Sequence, residues 1–259
     1  MGTLGGPNTY GLLPGQIVTN SGTVLLEADT ATPDPDYLSM TNLLPGNNTN
    51  NVDPNISHAA LWHNGVLTDL GALPGNNVSE PFRMNASGEV AGISETGVAD
   101  PLLSYPEGHA VVWKDRHIID LGTLGGNESD AAWINDRGQV VGAAPNALPD
   151  SFTMYNFYAA GTQVRAFLRQ DGKMQDLGTL GGPDSNAEFV NNRSQIAGHS
   201  FTNATVNPST GLPTEHPFLW QNGHMQDLGT LGGTLAVPVT DHMGTRVTGG
   251  SGSAGASSI

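Results

Sequence analysis

Apolar and polar positions alternate along this chain in a pattern that recurs. The segments "HAALWHNGVLTDLG" from His58, "HAVVWKDRHIIDLG" from His109, "RAFLRQDGKMQDLG" from Arg165 and "HPFLWQNGHMQDLG" from His216 each open on an apolar, aromatic-rich run. In three of them a dipeptide suited to positive φ follows, Asn64-Gly65, Asp171-Gly172 or Asn222-Gly223, and then a second run. That pattern predicts a β-hairpin closed by a type I′ turn. The segment with Lys114-Asp115-Arg116 departs from the dipeptide rule. A second kind of hairpin follows: "PFRMNASGEVAGIS" from Pro81, "AAWINDRGQVVGAA" from Ala131 and "AEFVNNRSQIAGHS" from Ala187 each set a polar turn between two apolar runs. Two hairpins give four predicted strands per unit.

The word "DLGTLGG" occurs unchanged at Asp120 to Gly126, Asp176 to Gly182 and Asp227 to Gly233; a variant "DLGALPG" starts at Asp69, and the chain opens on "MGTLGG". The aspartates Asp69, Asp120, Asp176 and Asp227 stand 51, 56 and 51 residues apart. Four antiparallel strands repeating at that period predict an all-β fold, a β-propeller of four-stranded antiparallel blades, because one such sheet buries too little by itself and must stack on neighbours. The glycines of the repeated word are expected to reverse the chain between the second and third strand of a unit, with its leucines between blades. The expected organisation is a single repeat domain over 1–250, with a partial unit at 1–30, units at 58–100, 109–148, 165–201 and 216–250, and a flexible Gly/Ser/Ala tail at 251–259. Counted this way there are five second hairpins, the first being "GQIVTNSGTVLLEAD" from Gly15, and four first hairpins. The expectation is a chain cut upstream, with Met1 an internal start, forming a five-unit ring or an open arc whose exposed strand edge invites self-association.

Charge narrows the partners. A formal charge of −15 with two lysines, Lys114 and Lys173, offers no basic patch for nucleic acid. Cysteine is absent, which removes disulfides and thiolate metal sites. No run of about 18 apolar residues suits a membrane-spanning helix, and no signal peptide opens the chain. The acidic, Asn-, Thr- and Gly-rich composition leans towards an exported bacterial protein, extracellular, cell-surface or periplasmic.

These residues resemble the bacterial extracellular repeats of the HAF family. The match falls on His216, Phe218 and Trp220, on Asp227 to Gly233, and on Ile134, Asn135, Gly138 and Gly142, and spans roughly 1–30 and 58–250. The resemblance implies an exported, propeller-like repeat protein and brings no catalytic residues with it.

Candidate functional residues lie where units differ. Insertions at Thr30 to Ser57, Ser94 to Gly108, Ala143 to Val164 and Phe201 to Glu215 are expected between units and on one face, often the binding face of a repeat fold. They carry Tyr37, Tyr105, Phe152, Tyr155, Phe157 and Tyr158, aromatics that stack on sugars, anchor a protein, or cover the loop's own small core. His58, His109 and His216 recur once per unit, with Trp62, Trp113 and Trp220 and the aspartates above. They read as structural partners of those aspartates rather than as metal ligands, with Arg165 taking the place of one histidine. His63, His117, His199, His224 and His242 show no ligand spacing and are expected in solvent. Neither metal nor cofactor is expected.

For catalysis, Glu80, Glu107, Glu188 and Glu215 are the best acidic candidates, set against a background in which most carboxylates form a solvated face. No nucleophile elbow, phosphate loop or dinucleotide fingerprint is present. Two functions remain: a non-catalytic binding or structural module with a glycan or protein ligand on its loops, or a carbohydrate-active propeller enzyme with converging carboxyls.

Overall fold

The computed structural model describes residues 2–10, 18–34, 54–75, 77–101, 106–151, 161–233, 235–240 and 247–252, with the backbone alone for 10, 235–240 and 247–252. Every regular element among them is a strand: β1 (Gly5–Tyr10), β2 (Val24–Pro33), β3 (Asn55–His63), β4 (Val66–Asp69), β5 (Ser79–Met84), β6 (Val90–Ala99), β7 (Pro106–Lys114), β8 (His117–Asp120), β9 (Asp130–Ile134), β10 (Val140–Pro149), β11 (Thr162–Gln170), β12 (Lys173–Asp176), β13 (Ser185–Val190), β14 (Ile196–Val206), β15 (Pro213–Gln221), β16 (His224–Asp227), β17 (Leu235–Thr240) and β18 (Val247–Gly252). They form four meander sheets in the orders β1-β2-β3-β4, β5-β6-β7-β8, β9-β10-β11-β12 and β13-β14-β15-β16; β17 also pairs with β15, and β18 with β17. A four-stranded antiparallel meander repeated in tandem is the blade of a β-propeller.

The sheets are offset from the expected units by one hairpin. Each joins the second hairpin of one unit to the first hairpin of the next, so five second hairpins and four first hairpins become four complete sheets and the further pair β17–β18. The reason is pairing length. Strands β6 and β7 pair from Val90↔Trp113 to Ala99↔Pro106, and β2 and β3 from Val24↔Trp62 to Pro33↔Asn55. A long loop between such strands adds little closure entropy, since that cost grows only with the logarithm of length. Sequence proximity favoured the shorter "DLGTLGG" link as the join within a sheet, but that word turns the corner from one sheet to the next. Two boundaries differ as well. The first described strand is Gly5–Tyr10; of the strand expected from Gly15, residues 15–17 lie outside the described residues and Val18 bridges Val24. The tail enters β18, where Ser251 pairs with Ala236 and Gly252 with Leu235.

The I′ turns form as the dipeptides require, with φ of 48° at Asn64, 50° at Asp171 and 52° at Asn222. The departing hairpin adopts the same geometry without glycine, at 51° for Asp115 and 64° for Arg116. A left-handed arginine carries a cost that glycine avoids. Arg116→Gly is therefore expected to stabilise the protein by about 0.5–1 kcal/mol, read as a higher urea midpoint; a lower midpoint would mean that the Arg116 side chain holds something in place.

Two compact units divide the chain, Met1–Thr123 with Asn127–Gly138, and Leu124–Gly126 with Gln139–Ile259. In the first, Leu25, Ala59, Leu73, Met84, Val90, Val111 and Trp113 form one buried cluster between the first two sheets. Alternation along β2 puts Leu25, Glu27 and Asp29 on the same side of the strand. Polar groups therefore enter the same interface as this apolar core.

Candidate functional site

Strand order fixes what lies at each end of a sheet. The chain enters strand one, leaves strand two and leaves strand four at the same end, so the loop between strands two and three shares that end with the corners. The insertions are therefore within sheets, between β2 and β3, β6 and β7, β10 and β11, and β14 and β15, rather than between units as expected. Their strands run past the packed region as arms: the last three residues of β2, β6 and β10 are exposed. Polar side chains fold each arm locally, Thr30 Oγ1 accepting from Thr32 N at 3.1 Å, Thr96 Oγ1 from Val98 N at 3.1 Å and Asn146 Oδ1 from Leu148 N at 2.8 Å. Val98 and Leu148 occupy the same arm position and are exposed, as is Leu212 at the root of β15. Tyr37, Tyr105, Phe152, Tyr155, Phe157 and Tyr158 lie outside the described residues.

The corners explain the repeated letters. His58 Nδ1 donates to Asp69 at 3.0 Å, His109 to Asp120 at 2.9 Å and His216 to Asp227 at 2.9 Å, and Arg165 Nε takes the histidine's part on Asp176 at 3.1 Å. The same carboxylates accept the backbone N–H of Gly71, Gly122, Gly178 and Gly229, at 2.7 or 2.8 Å. Each aspartate thus bolts the end of strand four to strand three and starts the turn. A serine outside the repeated word completes the corner. Ser79 Oγ donates to Gly71 O at 2.9 Å and accepts from Ala59 N at 3.0 Å; Ser129 does so with Gly122 and Ala110, and Ser185 with Gly178 and Ala166. One hydroxyl ties a sheet to the one before it. The indole of Trp113 adds a bond from Nε1 to Gly71 O at 2.9 Å, while Trp220 is buried and Trp62 half-buried.

Several carboxylates expected in solvent are buried and bonded to backbone. Asp29 accepts Asn8 N at 2.8 Å, Glu95 accepts Val78 N at 2.8 Å, Glu128 accepts Gly108 N at 2.6 Å and Asp184 accepts Val164 N at 2.9 Å. Part of the acidic composition therefore serves the joints between strands.

His199 departs from the repeat. This residue of β14 holds the position taken by Glu27, Ile93 and Ala143 in the other sheets, and it is 6% exposed rather than in solvent. Nδ1 is paired with Glu215 on β15, and Nε2 lies 3.2 Å from Glu188 on β13. Burial alone would push its pKa down; the hydrogen bonds and negative charges of Glu188 and Glu215 override this and raise it to about 9. Two of the four carboxyls considered for catalysis thus converge, but on an imidazolium that engages both. The other two lie in the first unit, where burial raises the pKa of Glu107 against the nearby His109, helped by Asp100. Sequence held a signal for His199 that spacing rules passed over: "AGHS" sets a histidine where "AGIS" sets isoleucine in the same strand. Among the described residues no group of three His, Cys, Asp or Glu side chains is placed to hold a metal ion, and no helix is long and apolar enough to cross a membrane.

Fold and corners together define an all-β repeat protein of propeller-type blades. No protein-family model matches the chain, and no curated protein matches it by sequence. Among solved structures it is similar to the β-propeller domain of the trilobed protease from Pyrococcus furiosus, at 10% identity and a TM-score of 0.46 over 86% of this chain and 52% of that one. It is also similar to an acylaminoacyl peptidase from Pyrococcus horikoshii, at 12% identity and a TM-score of 0.40 over 85% of this chain. The chain spans about half the length of the first and about a quarter (27%) of the second.

Proposed function

We propose that the chain is a non-catalytic, extracytoplasmic binding module of the kind the HAF resemblance implies, recognising a glycan or protein through the arms between strands two and three. The observation that carries this reading is the repeated arm. Its length and sequence vary from sheet to sheet, and Val98 and Leu148 stand exposed at the same position of successive arms. Exposed apolar side chains on loops held by a sheet are what a recognition surface uses. The ion triad around buried His199 supports the non-catalytic side of the reading, because both of its carboxylates are engaged by the imidazolium.

A glycan array probed with the purified chain, beside the double variant Val98→Asp, Leu148→Asp, tests it. Binding that the variant loses, with an unchanged unfolding midpoint, is the expected result. Equal binding by both proteins would remove the arms from the reading, and hydrolysis of an arrayed glycan would replace it with the carbohydrate-active enzyme.

A further inference from the structure

Two carboxyls in the first unit sit in joints between sheets, and the charged groups that act on them among the described residues are acids. Glu80, the second residue of β5, is 9% exposed and faces Glu27 of β2, which is itself buried and accepts the hydroxyl of Ser57. Its Oε2 is buried without a hydrogen-bond partner among the described residues. Glu128, two residues before β9, is 3% exposed. Its Oε2 accepts Gly108 N, while its Oε1 is buried without a hydrogen-bond partner among the described residues. The ionisable groups that act on Glu128 among the described residues are acids: Asp100 just past β6, Glu107 on β7 and Glu95 on β6. Around them, Asn127 Nδ2 donates to Asp100 at 3.0 Å and Val78 N donates to Glu95. His109 acts on Glu107 and is already bonded to Asp120.

A buried carboxylate with an unmatched oxygen among other carboxylates is costly, whereas the neutral acid leaves only one hydroxyl to satisfy. We propose that Glu80 and Glu128 are proton-operated locks between successive sheets of the first unit, packed as neutral acids and forced apart when they ionise. Each step is a simple proton loss to solvent. At Glu80 it adds a second negative charge beside Glu27, and at Glu128 it adds one among Glu95, Asp100 and Glu107. The second lock lies under the β6–β7 arm, since Glu95, Asp100, Glu107 and Gly108 all belong to its two strands and their connection. Opening it frees the arm that carries Val98.

Burial first, and then the charge of Glu27, raises the pKa of Glu80 well above the ordinary glutamate value. Burial raises that of Glu128 to about 8, opposed by the Gly108 N–H and reinforced by Asp100, Glu107 and Glu95. Because the folded state holds these protons more tightly than the unfolded chain does, stability falls as pH rises from about 4.5 through about 8.

Hydrogen exchange on the full chain, corrected for the intrinsic pH dependence of amide exchange, reads each lock at its own strands, β5 for Glu80 and β7 for Glu128. Protection there is expected to fall about tenfold or more between pH 5 and pH 8.5 in the wild type, and to stay level in Glu80→Gln, Glu128→Gln and the double variant. Level protection in the wild type, or the same fall in the glutamine variants, would overturn the locks. If those variants do not fold, the wild type alone decides: the infrared carbonyl band of protonated carboxyl persists at pH 7 if the locks hold protons, and its absence there would sink them.

Discussion

Alanine at Gly198 is expected to destabilise the protein by more than about 3 kcal/mol, with Gly92→Ala close behind. Gly198 is paired with Ala187 on one side and Phe218 on the other. A Cβ there would run into Asn186 O and sit 2.7 Å from Phe218 Cζ and 2.9 Å from Ala187 Cα. At Gly92 it would meet Glu80 O, with Pro81 Cα at 2.9 Å and Trp113 Cζ3 at 3.0 Å. Backbone atoms cannot swing aside as a side chain can, so the first strand must move off the second and break ladder bonds with it. The argument is made for these two sheets: in the first, Leu26 holds the equivalent position, and the described pairs of β1 with β2 end at Tyr10↔Glu27. Urea unfolding of both alanine variants measures the effect; a loss below about 1 kcal/mol would mean that the first strands are not held this closely.

Those glycines mark what sequence conveys and what it withholds. The hairpins and their I′ turns were legible because they depend on neighbours: Asn64-Gly65 and Asn222-Gly223 fold as dipeptides whatever surrounds them. The period was legible because each corner needs the same Asp, Gly and Leu. The phase of the sheets was not, since it depends on how far β6 pairs with β7 and not on how many residues join them. Ser79, Ser129 and Ser185 passed unnoticed for a related reason. Their hydroxyls matter through Ala59, Ala110 and Ala166, all about twenty residues away, and a serine among many polar residues carries no local pattern. The carboxylates were misjudged where burial decided, because sequence shows the charge of Asp29, Glu95 or Glu128 but not the backbone N–H that receives it.

Burial decides at His199 too, where the second large effect is expected. His199→Ala would leave Glu188 and Glu215 beside each other without their cation, and loss of one partner from a buried ion pair costs about 3–5 kcal/mol. The pH dependence separates this charge from a merely lost volume. Because the folded state raises the pKa of His199 to about 9, the pairing contributes fully below the ordinary histidine value of about 6.5 and fades as pH rises through about 9. The gap in unfolding free energy between wild type and variant should therefore be widest near pH 6 and narrow towards pH 10. Glu80 and Glu128 also weaken the fold as pH rises, but both proteins carry them, so their contribution cancels in the difference. A gap that stays constant across this range would mean that His199 fills space without holding charge, and the two glutamates would then be free for another role.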